Sequence, residues 1–221
     1  MACSEIAGEW MFSNKNFQVI NNAIDLKQFE FSEIERNRIR VKYSIDSDSI
    51  VIGSVGRLHP QKNFNGMLDI FARYHNLNNN SYLLLVGDGP IIEDLMQKAS
   101  TLKLENKIIF AGSQSNPVPF YSAMDCFLMP SLFEGLPFTA IEAQASGIPI
   151  VASNGVTQLI NIAGGVSFLD LKDPLEKWVK TIEDKITEYS GKDRLQTGQL
   201  LKGSSFDIKT QINNIINIYN N

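Results

Sequence analysis

Six short runs, SIVIGSV (49–55), SYLLLVG (81–87), NKIIFAG (106–112), DCFLMP (125–130), IPIVAS (148–153) and GVSFLDL (165–171), are apolar at nearly every position. A strand with one wet face alternates polar and apolar residues. A run apolar throughout needs cover on both faces, the condition of a parallel strand sandwiched between two helix layers. Stretches near 64–76, 90–101, 117–124, 137–146 and 157–163 fall between these runs and read as helices. The expected class is therefore α/β: a doubly wound, Rossmann-like parallel sheet of six strands with helices on both faces. With the common strand order 3-2-1-4-5-6, a ligand crevice is expected between strands one and four, outside their C-terminal ends.

Beyond about Leu171 the pattern becomes helical only. Leu175, Trp178, Val179, Ile182 and Ile186 recur at helical spacing, as do Ile208, Ile212, Ile215, Ile216 and Tyr219, and both helices are expected to pack on the core. Before the first strand, ACSEIAGEWMF reads as the end of a strand and a helix, FQVINNAIDLKQF as a short strand and extended linker, and SEIERNRIRVKYSI as a basic amphipathic helix. A strand at residue 2 has no obvious sheet of its own, so the chain is expected to begin inside a preceding domain.

Twenty Lys and Arg against 24 Asp and Glu, a net charge of −4, leave no global basic field for nucleic acid or an anionic membrane. Cys3 and Cys126, with His59 and His75, are too few for a disulfide framework or a histidine-rich metal cage. The N-terminal ten residues lack a signal-peptide pattern, and no apolar run reaches the roughly 20 residues of a membrane span. A cytoplasmic protein is expected.

Two polar, glycine-bearing loops should face each other across the crevice: GRLHPQKN (56–63) after strand one and SLFEGLP (131–137) after strand four. Arg57 and Lys62 flank a tight Pro60 turn, and Gly135 and Pro137 lead into a helix whose free amides point at the same gap. Cations beside a helix N-terminus suit a diphosphate, each charged hydrogen bond being worth ~1.5–3 kcal/mol. Surface ion pairs would explain the same two cations. Glycines in GDGP (87–90) and AGS (111–113) lie at strand ends where close backbone approach to a ligand is useful, although such loops also use glycine simply to turn. Glu142 should lie one turn inside the helix with Glu134 in the loop ahead of it. A carboxylate at Glu142 can accept both hydroxyls of a ribose, and one at Glu134 those of a sugar; for either acid alone, stabilisation by the helix dipole is an adequate explanation. The Asp-Ser-Asp at 46–48 precedes strand one and so reads as an exposed turn, and His59 reads as a solvent-facing turn residue. A dinucleotide oxidoreductase is disfavoured, since GSVGRLHP after strand one lacks the G-x-G-x-x-G pattern.

GRLHPQKN, VGDGP, FAG and PSLFEGLPFTAIEAQASGIPIVAS together resemble the donor-binding half of GT-B glycosyltransferases, in particular the retaining enzymes of glycosyltransferase family 4 that build bacterial capsule, exopolysaccharide and lipopolysaccharide. The resemblance implies that Arg57 and Lys62 bind the diphosphate and stabilise the leaving nucleotide, without a metal or other cofactor. It implies that Glu134 contacts the donor sugar and is catalytic together with Arg57 and Lys62, that Glu142 binds the ribose, that Gly135, Leu136, Pro137 and Phe138 line sugar and phosphates, and that Gly56 and Gly87 belong to the donor-binding set. Gly112, Ser113 and Gln114 would frame the base, which the family weights towards uracil. It also implies domain limits: 1–24 as a remnant of an N-terminal acceptor domain, 25–48 as linker and helix, 49–205 as the nucleotide-sugar domain and 206–221 as a C-terminal helix. The partners implied are a nucleotide sugar and the missing acceptor domain, with membrane association only through the full-length enzyme. Where many relatives carry a Glu, this chain has Gln158. A stand-alone nucleotide-sugar-binding module, or an inactive relative without transferase activity, is the alternative.

Overall fold

The computed structural model describes residues 9, 11–13, 17–21 and 23–220. The strand expected at the start of the chain, and Cys3, lie outside the described residues. The six apolar runs form one parallel sheet, ordered β3-β2-β1-β4-β5-β6: β1 Ile50–Val55, β2 Ser81–Val86, β3 Ile108–Phe110, β4 Cys126–Met129, β5 Ile150–Ser153 and β6 Val166–Leu169. Strand order reverses between β1 and β4, so the crevice opens where the sequence places it.

The helices are α1 Glu33–Lys42, α2 Phe64–Leu77, α3 Ile92–Thr101, α4 Val118–Ala123, α5 Phe138–Ala145, α6 Leu175–Tyr189, α7 Arg194–Gln199 and α8 Ile208–Asn220. Two cores flank the sheet. Val51, Phe127, Met129, Ile150 and Ala152 point into one, under α1, α4, α5 and α7. Ile52, Cys126, Leu128 and Val151 point into the other, with Phe64, Phe71, Leu95 and Trp178 from α2, α3 and α6. Alternate residues of one strand thus enter opposite cores, which is why nearly every position is apolar and the few polar ones are serines.

Helix α1 buries Ile39 as an amphipathic reading expects but departs from that reading at several positions. Ile34 and Val41 are exposed, whereas Arg40 is buried and Arg36 half-buried. The acceptors explain this. Asp125, just before β4, takes Arg36 at 2.7 Å and Arg40 at 2.8 Å, and its Oδ2 also accepts from the Val51 amide. Arg40 reaches the carbonyls of Ala123, Asp46, Ser47 and Ser49 as well. Arg194, the first residue of α7, donates to the carbonyls of Tyr121, Ser122 and Met124, closing the C-terminal end of α4, and to Ser146 O beyond α5. Guanidinium groups carry five donors each and complement helix C-termini, so buried carbonyls draw them inward.

Two expectations are corrected. The helix expected at 157–163 is only a 3-10 turn, Gln158–Ile160. Gln144 on α5 takes its backbone: Nε2 donates to Ile160 O at 2.6 Å and Oε1 accepts from Ala163 N, leaving these groups unavailable to a helix. The C-terminal helix exists, but it does not pack on the core. Only Gln211 is buried along α8, and Ile212, Ile216 and Tyr219 are exposed. Helical spacing marks a face that needs cover, and the described residues of this chain do not cover it. At its root, the amide of Ile24 donates to Phe206 O and the amide of Ile208 to Ile24 O, so residues near 24 and 207 run side by side.

Candidate functional site

The loop leaving β1 folds directly against the loop leaving β4. Lys62 Nζ donates to Glu134 Oε1 at 2.7 Å, Gln61 Nε2 to Phe133 O at 3.0 Å, the Leu132 amide to Gln61 O at 2.8 Å, and Asn63 Nδ2 to Pro130 O at 3.1 Å. Pro60 pre-sets the φ of a 3-10 turn, Pro60–Lys62, which bends Lys62 back over the sheet edge. Asn63 then adopts the left-handed region at φ 53° and its Oδ1 accepts from the Gly66 amide, starting α2. Each residue of Gln-Lys-Asn therefore has a separate task in joining the loops. Sequence reasoning assigned one only to Lys62.

Glu134 is held on several sides. Its Oε1 also accepts from Ser131 Oγ at 3.3 Å, its amide donates to Gly155 O, and its carbonyl accepts from the Thr157 amide. The Ser153 hydroxyl donates to Ser131 O, tying this loop to the end of β5. Lys62 and Glu134 keep 20% and 12% of their side chains exposed, enough for a ligand to reach the pair and little enough for weak water screening. Arg57 differs: it is exposed and has no ion-pair partner among the described residues. Of the two cations, one is oriented and the other is free to meet an incoming anion.

Pro137 is the N-cap of α5 rather than its first helical residue, with ψ 115°, and no side chain caps the helix. The leading amides of Phe138 and Thr139 thus begin a helix at the crevice rim, the arrangement that favours an anion. Thr139 Oγ1, in this first turn, is buried without a hydrogen-bond partner among the described residues. Such orphans are uncommon in native structures, and no sequence signal distinguishes this one.

Glu142 lies one turn further in. Burial pushes its carboxyl above the ordinary carboxylate range, and a hydrogen bond from the Tyr121 hydroxyl to Oε2, at 2.5 Å, opposes that rise. Tyr121 was missed in the sequence, where 117–124 reads only as a helix. The available signal is one phenol in a helical turn that is apolar but for Ser122.

The glycines separate into two kinds. A Cβ on Gly87 would meet Gly56 O at 2.0 Å, and the Gly87 amide is spent on Gly112 O. The absent side chain lets the neighbouring loops pack closely. Gly135 has nothing within 4 Å of where its Cβ would sit. No protein neighbour requires that glycine, and the space beside it is open. Among the remaining predicted residues, Gly56 sits where its Cβ would crowd Lys62, Leu136 is half-buried, Phe138 partly exposed and Ser113 exposed. Gln114 folds back to donate to Ala111 O. His59 is exposed and its Nδ1 accepts from the Gln61 amide, capping its own turn, and Asp46 and Asp48 are exposed at the opposite end of β1. Gln158 is exposed beside Thr157, next to the Glu134 backbone.

A parallel sheet in this order, with a cation–carboxylate pair bridging its switch point, is one half of a GT-B fold. The structure of HepE from Anabaena in complex with UDP-glucose superposes with a TM-score of 0.81, at 19% identity, covering 99% of this chain and 62% of HepE. The chain belongs to the family described as glycosyl transferases group 1, which matches residues 35–164. It is similar to the putative glycosyltransferase EpsF of Bacillus subtilis (strain 168), 30% identical across 99% of this chain and 58% of EpsF. It is also similar to the Escherichia coli UDP-Gal:alpha-D-GlcNAc-diphosphoundecaprenol alpha-1,3-galactosyltransferase, 29% identical across 91% of this chain and 53% of that enzyme. The chain thus spans little more than half the length of these curated relatives. No helix among the described residues is long and apolar enough to cross a membrane.

Proposed function

We propose that this chain is the donor-binding half of a retaining glycosyltransferase, one that moves a sugar from a UDP-linked donor to a polysaccharide or lipid-linked acceptor. The observation that carries this reading is the Lys62–Glu134 pair across the β1/β4 switch point, beside a free Arg57 and the leading amides of α5. As the bond from the sugar's anomeric carbon to the phosphate oxygen breaks, its electrons pass to the diphosphate. Lys62, Arg57 and the α5 amides stand where they can offset that growing charge without a metal or cofactor. In this reading Glu134 meets the sugar hydroxyls, Glu142 meets the ribose, and the donor enters the open space beside Gly135. The uridine assignment is supported by the UDP-glucose bound to HepE and the UDP-galactose in the name of the Escherichia coli relative.

An acceptor domain is proposed to complete the enzyme, with residues 1–24 belonging to it, 25–48 linking the two and 49–205 holding the donor. The greater length of the relatives supports this, as do the adjoining segments at Ile24 and Asp207, which suit two crossings between domains. Exposed Leu132, Phe133 and Leu159, close to the Glu134 loop, give a second domain apolar surface to close on. A cytoplasmic setting is likewise proposed, with any membrane contact made through the whole enzyme.

Calorimetric titration with UDP and GDP tests the site directly, and UDP is expected to bind more tightly. Adding the acceptor-domain half should then give acceptor-dependent release of UDP from the nucleotide sugar. A chain that binds donor yet never releases nucleotide under those conditions is a nucleotide-sugar-binding module instead.

A further inference from the structure

Glu142, the proposed ribose acid, depends on a residue outside the crevice. Tyr121 of α4 is fully buried, and its ring is fixed by Phe29 edge-on at a centroid distance of 6.0 Å and by Phe127 at 6.0 Å on β4. Phe29 closes the turn Leu26–Phe29, which packs on both α4 and α5. With both ring torsions set by packing, the hydroxyl points to one place, Glu142 Oε2. A buried phenol without an acceptor would lose its full hydration, so the pairing is strongly favoured.

We infer that Tyr121 is a positioning residue for donor recognition: its hydroxyl fixes the Glu142 carboxylate so that Oε1 remains for the ribose hydroxyls. The inference rests on the donor-site reading above. A glutamate has three side-chain torsions, and an unheld carboxylate would have to be ordered by the ligand itself; Tyr121 does that ordering in advance. The same bond favours the charged form of Glu142 against burial. The other elements packed on α5 bring Lys27 from the Leu26–Phe29 turn and Arg194 from α7, whose guanidinium is committed to carbonyls and Ser146 Oγ. Burial and the Tyr121 bond are what act on Glu142. Tyr121 itself stays protonated, because burial and the neighbouring carboxylate push its phenol far up.

Tyr121→Phe keeps the ring and removes the bond. UDP and its 2′-deoxy analogue are titrated into wild type and variant from mildly acidic to neutral pH. The expected result is a loss of about tenfold in UDP affinity, the size of one hydrogen bond to a charged group. The preference for ribose over deoxyribose should narrow, and the loss should widen as pH falls, because Glu142 now takes up its proton at higher pH. A purely structural role would lower both affinities together with no change in pH profile. In a Glu142→Ala background Tyr121→Phe should add nothing; an equal loss there overturns the inference. Should Tyr121→Phe fail to fold, a fluorinated tyrosine at 121 strengthens the donor instead, and an unmoved pH profile is then the overturning result. If wild type distinguishes ribose and Tyr121→Phe does so equally, this inference alone fails. If wild type binds no UDP, the donor-site reading fails and takes the inference with it.

Discussion

Lys62 and Glu134, 72 residues apart in sequence, share a 2.7 Å ion pair that closes the switch point of the sheet. The chain thus holds its proposed diphosphate-binding cation against its proposed sugar-binding acid. The pair pre-orients both groups on rigid loop ends, which lowers the ordering cost at the moment of binding.

Lys62→Ala and Arg57→Ala are each expected to weaken UDP binding by about 1.5–3 kcal/mol, the worth of a charged hydrogen bond. Calorimetry checks both. Unchanged affinity in the two variants would mean that the diphosphate sits elsewhere.

Glu142→Gln should separate stability from binding. Glu142 has a folded pKa raised by burial, so the folded chain holds its proton more tightly than the unfolded one. Its contribution is favourable below the ordinary carboxylate range and is lost as pH rises through the raised value. A neutral Gln, still able to accept from Tyr121, is therefore expected to raise the melting temperature at neutral pH while weakening UDP binding by about 1–3 kcal/mol. Thermal melts at acidic and neutral pH should show the stabilisation fading in acid.

The two kinds of glycine predict opposite outcomes. A side chain at Gly135 starts from a Cβ with no heavy atom within 4 Å, so Gly135→Ala should leave the urea midpoint near wild type while crowding the donor. Gly87→Ala places a Cβ 2.0 Å from Gly56 O at φ 137°, so it should destabilise the fold. A Gly135 variant that binds UDP normally would remove that loop from the site.

Asp125→Ala leaves Arg40 buried beside Arg36 without a carboxylate. Breaking such a pair costs about 3–5 kcal/mol, readable as a lower urea midpoint. The cluster stands at the N-terminal rim of the sheet, so UDP affinity of the folded protein should be unchanged.

The strand set and the crevice were legible because they depend on short-range pattern: apolar runs without alternation, and polar glycine-bearing loops after two of them. The failures share a cause. At 157–163 the local pattern favoured a helix, but Gln144 from α5 claimed the backbone groups first. At 208–219 the spacing correctly gave a helix but wrongly implied a core beneath it. The α1 segment read as a basic amphipathic helix, whereas Asp125 and the α4 carbonyls, more than 80 residues away, drew two of its arginines inward.

By itself the sequence determined the layered parallel architecture and the two loops that meet, since burial of both strand faces and the chemistry of turns are written in neighbouring residues. Only the tertiary structure decided that Lys62 pairs with Glu134, that Tyr121 grips Glu142, and that Gly87 serves packing while Gly135 faces open space. Such contacts join atoms brought together by the fold from distant parts of the chain, and periodicity in one segment carries no record of what packs against it from another.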